Sequence, residues 1–591
     1  MISMQEISVS RMVKYSACIV FASLCVSSTI DTGMFVYPSL SRYLLLEIGI
    51  VVLSGISILS CMADNKNVFK SWYCVFILAW IVYISLHTIF TSPHEIYKTM
   101  YLVVTLSLIL VLGICLRASL LSNKVIENGL LLIAAIHIIY IAAQKLGVAI
   151  SANKYFAIVG SNDNPTVTAL YFVGILPILI SRAKRTNWHW TYAIFTFFVI
   201  AGLLVLRCRT AYVGLFIEAA VYIGMCYKGK VHVIKTHPFR NSIILAVVMV
   251  MLSVTGTWLY NMKKDSADGR ILIWKLSAGM LADRPQGYGY GLFEKYYNLR
   301  QAEYFSENDA SSMEKRNADF VYMPYNDYLE QGIEGGIVGM LFLMAFYTMN
   351  IRKAWKGNKV REAAVLTAFC VMSLTNFVCT SIQPWLLVIC CSALTMTDRD
   401  KEKSQQQSHL RAAKVLNAFA LTLFATCACS VVLITRAQLA LKSLDIEMKT
   451  VGKVHDGKFG AIEKSVSTSE AYWRIRAKNS MSQDFSDNAI AYIRKARLYS
   501  SAPELLGLES EYLRRNGDTV TSMQLIDTLS DILPHVLRLK LILMRYNASC
   551  EEREDALRYA ADILSTGAKY DTYEARAIIQ EAKKYYEIYE K

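Results

Sequence analysis

The sequence predicts an all-α, polytopic helical membrane protein with a large external loop and a C-terminal domain of tetratricopeptide-like (TPR-like) helical hairpins. Hydrophobic residues make up 54% of 591 residues and charged ones only 18%, too apolar a balance for a soluble chain of this size. Apolar runs recur from residue 12 to residue 435, each of about 17–25 residues and so able to cross ~30 Å of hydrocarbon. The last 156 residues break the pattern. They carry 24 Lys/Arg and 23 Asp/Glu with helical spacing and no run of spanning length.

Thirteen spans are expected, near 12–29, 43–61, 72–90, 99–117, 128–146, 166–182, 190–206, 211–226, 241–260, 336–351, 363–380, 385–397 and 412–435. The first looks like the apolar part of a signal peptide, but with twelve more behind it reads as an anchor. Counting from a cytoplasmic start, the internal loops carry Lys66 and Lys70, Arg117 and Lys124, Arg182 to Arg185, Lys228 to Arg240, Arg352 to Arg361, and Arg399 to Lys414. Every second loop is basic, the signature of cytoplasmic faces. An odd number of spans then puts both the 262–335 loop and the 436–591 tail outside. In a Gram-negative bacterium that compartment is the periplasm, beside an inner-membrane, multi-pass domain of residues 1–435. Of the net charge of +15, the tail contributes only +1 and the 262–335 loop carries 9 basic and 12 acidic groups, so the other loops of the membrane half hold +17. It sets orientation and gives no reason to expect nucleic acid.

In the tail, Ala489, Ser522 and Ala556 stand 33 and 34 positions apart at small-residue positions of apolar-patterned helices. A period near 34 predicts stacked helical hairpins, with an ordinary helical bundle as the plainer alternative. Either serves as a scaffold or docking surface. Of 14 cysteines only Cys550 lies outside an expected span or its edge, so no disulfide framework is implied. No CxxC occurs, which argues against structural zinc.

Three outward-facing stretches carry chemistry. In "VGSNDNPTVTALYF" the polar triplet before Pro165 suits a turn and helix cap, or a site. In "LRCRTAYVGL", Arg207 and Arg209 stand on the outside, where they either snorkel to head groups or bind an anion, since guanidinium matches phosphate oxygens. In "DRPQGYGYGLF", Gly287, Gly289 and Gly291 alternate with Tyr288 and Tyr290. That pattern lets backbone approach a ligand while rings flank it, and sugars stack on rings. Beyond, Asp319, Asn326, Asp327, Glu330 and Glu334 gather near the membrane surface. The last three acids share one helical face, as a solvated helix start or as part of a site.

Taken in order, "GSNDNP", the external "RCRT", "GRILIWK", "DRPQGYGYGLF" and "YNDYLEQGIEGGIVG" resemble the O-antigen ligase superfamily. That superfamily includes lipopolysaccharide ligases, O-antigen polymerases and protein O-oligosaccharyltransferases. The tail and "QAEYF", with Glu303, resemble members from Bacteroides-like bacteria. The resemblance implies an undecaprenyl-diphosphate-linked glycan donor, and no metal, nucleotide or other cofactor. It implies that Arg209 and Arg270 hold the donor diphosphate, while Asn326 and Glu334 match the Asn and Glu of the family's "HN-x-YL … E-x-G" pattern. Where the family often has a histidine before that Asn, this chain has Tyr325, and a phenol is a poor base at neutral pH. The proton-accepting role therefore moves to Asp319 or another nearby carboxylate. An acceptor hydroxyl would attack the anomeric carbon while the arginines stabilise the departing diphosphate.

The acceptor stays open between protein Ser/Thr, which the repeat tail favours, and a lipid A core or growing polysaccharide. A transporter or flippase is the rival of another class. It predicts ionisable groups deep in the spans and broken helices, and Glu218 is the clearest intramembrane charge.

Overall fold

Each apolar run folds as a helix because a backbone in hydrocarbon can satisfy its N–H and C=O groups only within itself. The computed structural model describes residues 4–37, 40–63, 72–227, 264–307, 310–396, 410–482 and 488–589. Among them the membrane half holds α1 (Met4–Ser27), α2 (Leu40–Ala63), α3 (Trp72–Phe90), α4 (Ile96–Arg117), α5 (Asn123–Lys145), α6 (Pro165–Ala183), α7 (His189–Leu206) and α8 (Arg209–Cys226). The loop expected to be external holds α9 (Lys264–Asp283), α10 (Phe293–Glu307) and α11 (Ser312–Asn317). The chain then returns through α12 (Asp327–Lys356), α13 (Val360–Met372), α14 (Ile382–Met396) and α15 (Leu410–Val451). The tail follows as α16 (Asp456–Val466), α17 (Glu470–Ser482), α18 (Asn488–Arg497), α19 (Pro503–Arg515), α20 (Thr519–Ile532), α21 (Leu537–Ser549), α22 (Arg553–Thr566) and α23 (Tyr573–Tyr589). No strand occurs among the described residues.

Nine described helices are long and apolar enough to cross a membrane, namely α2 to α8, α12 and the Leu421–Val451 part of α15, with α14 as a shorter apolar helix. The chain is thus an all-α polytopic membrane protein. α1 covers the expected first span. The span expected at 241–260 lies outside the described residues, as do Lys66, Lys70, Lys228 to Arg240 and Arg399 to Lys403. Two other expectations are corrected. α13 stops at Met372 instead of running to residue 380, and α12 starts at Asp327 instead of near residue 336. α12 also carries a non-helical residue, Gly336, at φ 69°. Downstream, α15 runs unbroken through residue 435, where the division between membrane domain and tail was expected.

α4 is the central helix. Its spanning window is 94% buried by protein, against 22% for α7 and for α8. Paired charges tie the helix ends together at both faces, since a lone buried charge is costly. On the face where the basic loops gather, Glu127 of α5 accepts from Arg182 of α6 at 2.5 Å and from Arg361 of α13 at 2.7 Å. On the other face, buried Arg42 donates to Asn162 Oδ1 at 2.8 Å, to the Ser161 carbonyl at 2.7 Å and to Asp31 at 2.5 Å. That network pins the "GSNDNP" segment. Asn164 caps α6 by accepting from Thr166 N–H at 2.9 Å, with Pro165 in the first turn; the cap reading of that motif is the one the structure carries.

In the tail, α17 packs on α18, α19 on α20 and α21 on α22. Ala489, Ser522 and Ala556 are all fully buried in the second helix of successive hairpins. Serine is accepted at that position because its hydroxyl donates to the Ser510 carbonyl at 2.9 Å. The tail also grips the loop before α12: Gln301 of α10 donates to the Ile532 carbonyl at 2.8 Å, and Ser501 N–H to Glu294 at 3.1 Å. Lys315 of α11 meets Asp562 at 2.6 Å, and buried Lys540 meets the same carboxylate at 2.6 Å.

Beside this clasp, burial pushes the Asp531 carboxyl up to about 7, with Asp527 and Asp562 adding to the rise while Lys540 and Lys315 oppose it. A raised carboxyl favours the folded state when protonated, so its contribution is present below pH about 4 and lost as the pH rises to about 7. Melting curves of the purified protein should therefore show a fall in stability across that window that Asp531→Asn reduces. Equal slopes in the two proteins would refute the linkage.

Candidate functional site

Asp327 opens α12 and is fully buried, yet no cation among the described residues pairs with it. Its carboxylate instead accepts from Val378 N–H at 3.0 Å and Cys379 N–H at 3.2 Å, while its own N–H donates to the Ser373 carbonyl at 2.9 Å. Those partners lie on residues 373–381, the non-helical turn between α13 and α14. Irregular backbone at this depth is tolerated because side chains and protein satisfy it. This is why the expected 363–380 span is shorter than its hydropathy suggests.

The turn positions the cationic part of the site. Arg270 of α9 donates to the Thr375 carbonyl at 2.9 Å. Its guanidinium lies 4.9 Å from the centroid of the Tyr325 ring, and that ring meets Phe377 edge-on at 5.8 Å. Tyr325 sits at φ 52°, a left-handed conformation that costs a residue with a Cβ roughly 1–2 kcal/mol. Strain of this kind persists where surrounding structure over-determines it. Arg207 is a second such residue, at φ 47°; it turns the chain between α7 and α8 and brings Arg209 to the start of α8. Burial lowers Arg270 from its ordinary value, and the nearby Arg209 charge lowers it further. Two like charges are therefore gathered in one part-buried place. Burial, partly offset by Arg270, raises the Tyr325 phenol, which keeps it protonated at neutral pH.

The glycine stretch has a different role from the one expected. Tyr288 N–H donates to the Ile333 carbonyl at 2.7 Å, Gly289 N–H to Glu334 O at 3.0 Å, and Ile337 N–H to Pro285 O at 2.9 Å. Residues 285–289 thus take up the backbone groups that the break at Gly336 frees in α12. Gly287 lies at φ 89°, and a Cβ there would stand 2.7 Å from Glu334 O. Gly287 thus admits α12, whereas Gly289 lies against the Pro93 carbonyl and Gly291 against Glu95.

The other sequence-derived candidates divide. Arg270 and Tyr325 come together, with Arg209 within electrostatic reach of Arg270. Asn326 caps α12, its Oδ1 accepting from Tyr328 N–H at 3.0 Å and Leu329 N–H at 3.1 Å. Tyr290 is fully buried against His87, with ring centroids 5.4 Å apart, so it presents no face to a sugar. Tyr288 is half-buried, its ring covered by Tyr296 at 4.7 Å and Arg284 at 5.2 Å. Glu334 is buried 3.6 Å from Lys98, and Glu330 meets the same lysine at 2.5 Å, so the acids of that face are internal rather than solvated. Glu303 pairs with Arg300 at 2.6 Å on the exposed side of α10. Asp319 is half-exposed and pairs with Lys569 of the tail at 3.2 Å.

Sequence reasoning missed Lys98, Thr375, Phe377 and Lys569. Lys98 had a signal, a lone cation at the edge of an apolar span. The others had none, since each acts through a contact far away in the chain. Lys98 also borders a cavity of about 230 Å³ between α2 and α4, with Glu47, Glu95, Tyr43, Tyr97 and Thr380. Burial pushes the Glu95 carboxyl, at its rim, up to about 7.

Fold and site together define a polytopic membrane protein in which the loop before α12 brings Arg270 to the 373–381 turn. Residues 193–344 match a family model described as O-antigen ligase. The match places this segment in the O-antigen ligase superfamily and includes the sequence-derived candidates from Arg207 to Glu334. No curated protein and no solved structure matches the chain.

Two outcomes follow from the geometry. Asp327→Ala strands two buried N–H groups at about 1–3 kcal/mol each, so it should lower the melting temperature sharply, with Asp327→Asn in between. Gly287→Ala should destabilise, whereas Gly279→Ala, in helix α9 with open space around the new methyl, should be neutral or stabilising by up to about 1 kcal/mol. Thermal unfolding of the purified variants checks both orders.

Proposed function

We propose that the protein transfers a glycan from an undecaprenyl-diphosphate carrier to an acceptor hydroxyl at the external, periplasmic face of a bacterial inner membrane. The observation that carries this is Arg270, held to the Thr375 carbonyl and to the Tyr325 ring with the Arg209 charge nearby, the two arginines and the tyrosine lying in the segment that matches the O-antigen ligase family. Guanidinium groups held close in a low-dielectric recess favour an anion with several oxygens, and a diphosphate supplies them.

In this reading the acceptor oxygen bonds to the anomeric carbon as the bond from that carbon to the diphosphate oxygen breaks. Arg209 and Arg270 stabilise the charge that develops on the leaving diphosphate. Tyr325 positions Arg270 through its ring and stays protonated. The hydroxyl proton passes to a carboxylate, for which Asp319 stands within electrostatic reach of Tyr325. The chemistry is carried by side chains, without metal or nucleotide. Arg207 lies at the same corner and adds positive charge at the rim.

The hairpin tail supports protein Ser/Thr as the acceptor, because it rests on the catalytic loop and offers a repeat surface of the kind that binds polypeptide. The family description itself supports a second reading, ligation to a lipid A core or polymerisation of the glycan. A flippase is less well supported. The breaks at Gly336 and at 373–381 lie beside the external site, and the charges of Lys98, Glu330 and Glu334 are spent on one another.

Arg270→Ala should lower transfer by about 10²–10³-fold with melting temperature retained, and Arg270→Lys should recover part of it. The assay is transfer from purified undecaprenyl-diphosphate glycan, with a protein and a lipid A core offered side by side. Label on the protein, lost in Arg270→Ala, identifies an oligosaccharyltransferase, and label on the core a ligase. Wild-type transfer by folded Arg270→Ala would remove the arginine from the mechanism.

A further inference from the structure

At the opposite end of the same helices, the protein holds a second polar recess. It is a cavity of about 450 Å³ where the end of α6, the end of α8, the start of α13 and the end of α14 meet. Four basic side chains line it, Lys184, Arg185, Lys359 and Arg361, against one carboxylate, Glu362.

The four are not equivalent. Arg361 is committed to Glu127 at 2.7 Å and Glu362 at 3.1 Å. Lys359 donates to the Leu394 and Thr395 carbonyls at 2.9 and 3.1 Å, neutralising the C-terminal end of α14. Lys184 and Arg185 are exposed, and no carboxylate among the described residues pairs with either. Lys184 Nζ stands over the Tyr222 ring at 5.6 Å, on the wall of the recess. A basic membrane face by itself needs only scattered cations in water. Here they line one concavity, and two of them are left with charge to share.

The depth of the recess is marked independently. Trp188 and Trp190, at the start of α7, and Tyr227, at the end of α8, are exposed by 70%, 73% and 58%. Aromatic rings exposed at span ends sit at head-group level. Basic pockets between helices at that level suit lipid phosphates.

We propose that this recess binds a phosphate-bearing anion, of the kind an anionic phospholipid head group presents at the membrane surface. Lys184 and Arg185 supply the charge for the phosphate, and the Lys359 and Arg361 ends hold the wall in place through their own partners. The site is remote from Arg270 and does not depend on the transfer reaction.

The test uses the full-length protein in neutral detergent, titrated with phosphatidylglycerol and with phosphatidylcholine by native mass spectrometry. A parallel thermal-shift series uses inorganic phosphate. Lys184→Gln/Arg185→Gln should weaken phosphatidylglycerol binding by at least about tenfold while leaving phosphatidylcholine unchanged, and Lys184→Arg/Arg185→Lys should restore it. If inorganic phosphate raises the melting temperature of the wild type and not of the glutamine variant, phosphate alone is recognised; if only the lipid discriminates, the head group is the ligand. Equal phosphatidylglycerol binding by wild type and glutamine variant, with no phosphate-dependent shift, overturns the proposal. The lysine-for-arginine exchange keeps the outcome decisive should the glutamine variant misfold.

Discussion

A buried carboxylate held by two backbone N–H groups organises one end of the membrane half. Asp327 has no counter-cation among the described residues; it is stabilised by Val378 and Cys379, and it gives the 373–381 turn a fixed position at a depth where loose backbone is unaffordable. From that turn the site is assembled outward. Thr375 receives Arg270, Phe377 backs Tyr325, and Tyr325 faces Arg270.

The second constraint is a contact between two backbones. α12 breaks at Gly336, and the freed groups would be costly in a membrane. Residues 285–289 of the loop before α12 supply the missing partners. Only glycine at 287 and 336 lets the chains come that close. The loop is therefore anchored at its base to the helix that begins beside the site, and the tail grips it from above through Glu294, Gln301 and Lys315. A segment held at both ends keeps Arg270 against the 373–381 turn.

Charge follows the same economy at both faces. Lys98 with Glu330 and Glu334, Arg42 with Asp31, and Glu127 with Arg182 and Arg361 are each paired inside the protein. By contrast, Lys184 and Arg185 line their recess and pair with no carboxylate among the described residues.

Much of the architecture was legible in the residues. Span positions depend on transfer free energy summed along about twenty neighbours, and caps such as Asn164–Pro165 depend on adjacent groups, so both are local properties. The 33- and 34-residue spacing of Ala489, Ser522 and Ala556 is also local, because each hairpin repeats one packing problem. The meeting of Arg270 with Tyr325, with Arg209 nearby, was anticipated only through resemblance. The roles of Tyr290, Glu334 and the glycines were decided by partners far away in sequence, and so was the early end of α13. A buried tyrosine and a sugar-stacking one look alike in one dimension. Hydropathy determines which segments enter the membrane; which polar groups meet there is decided only when the helices pack, because a hydrogen bond needs its partner within about 3 Å and the sequence does not order residues by distance.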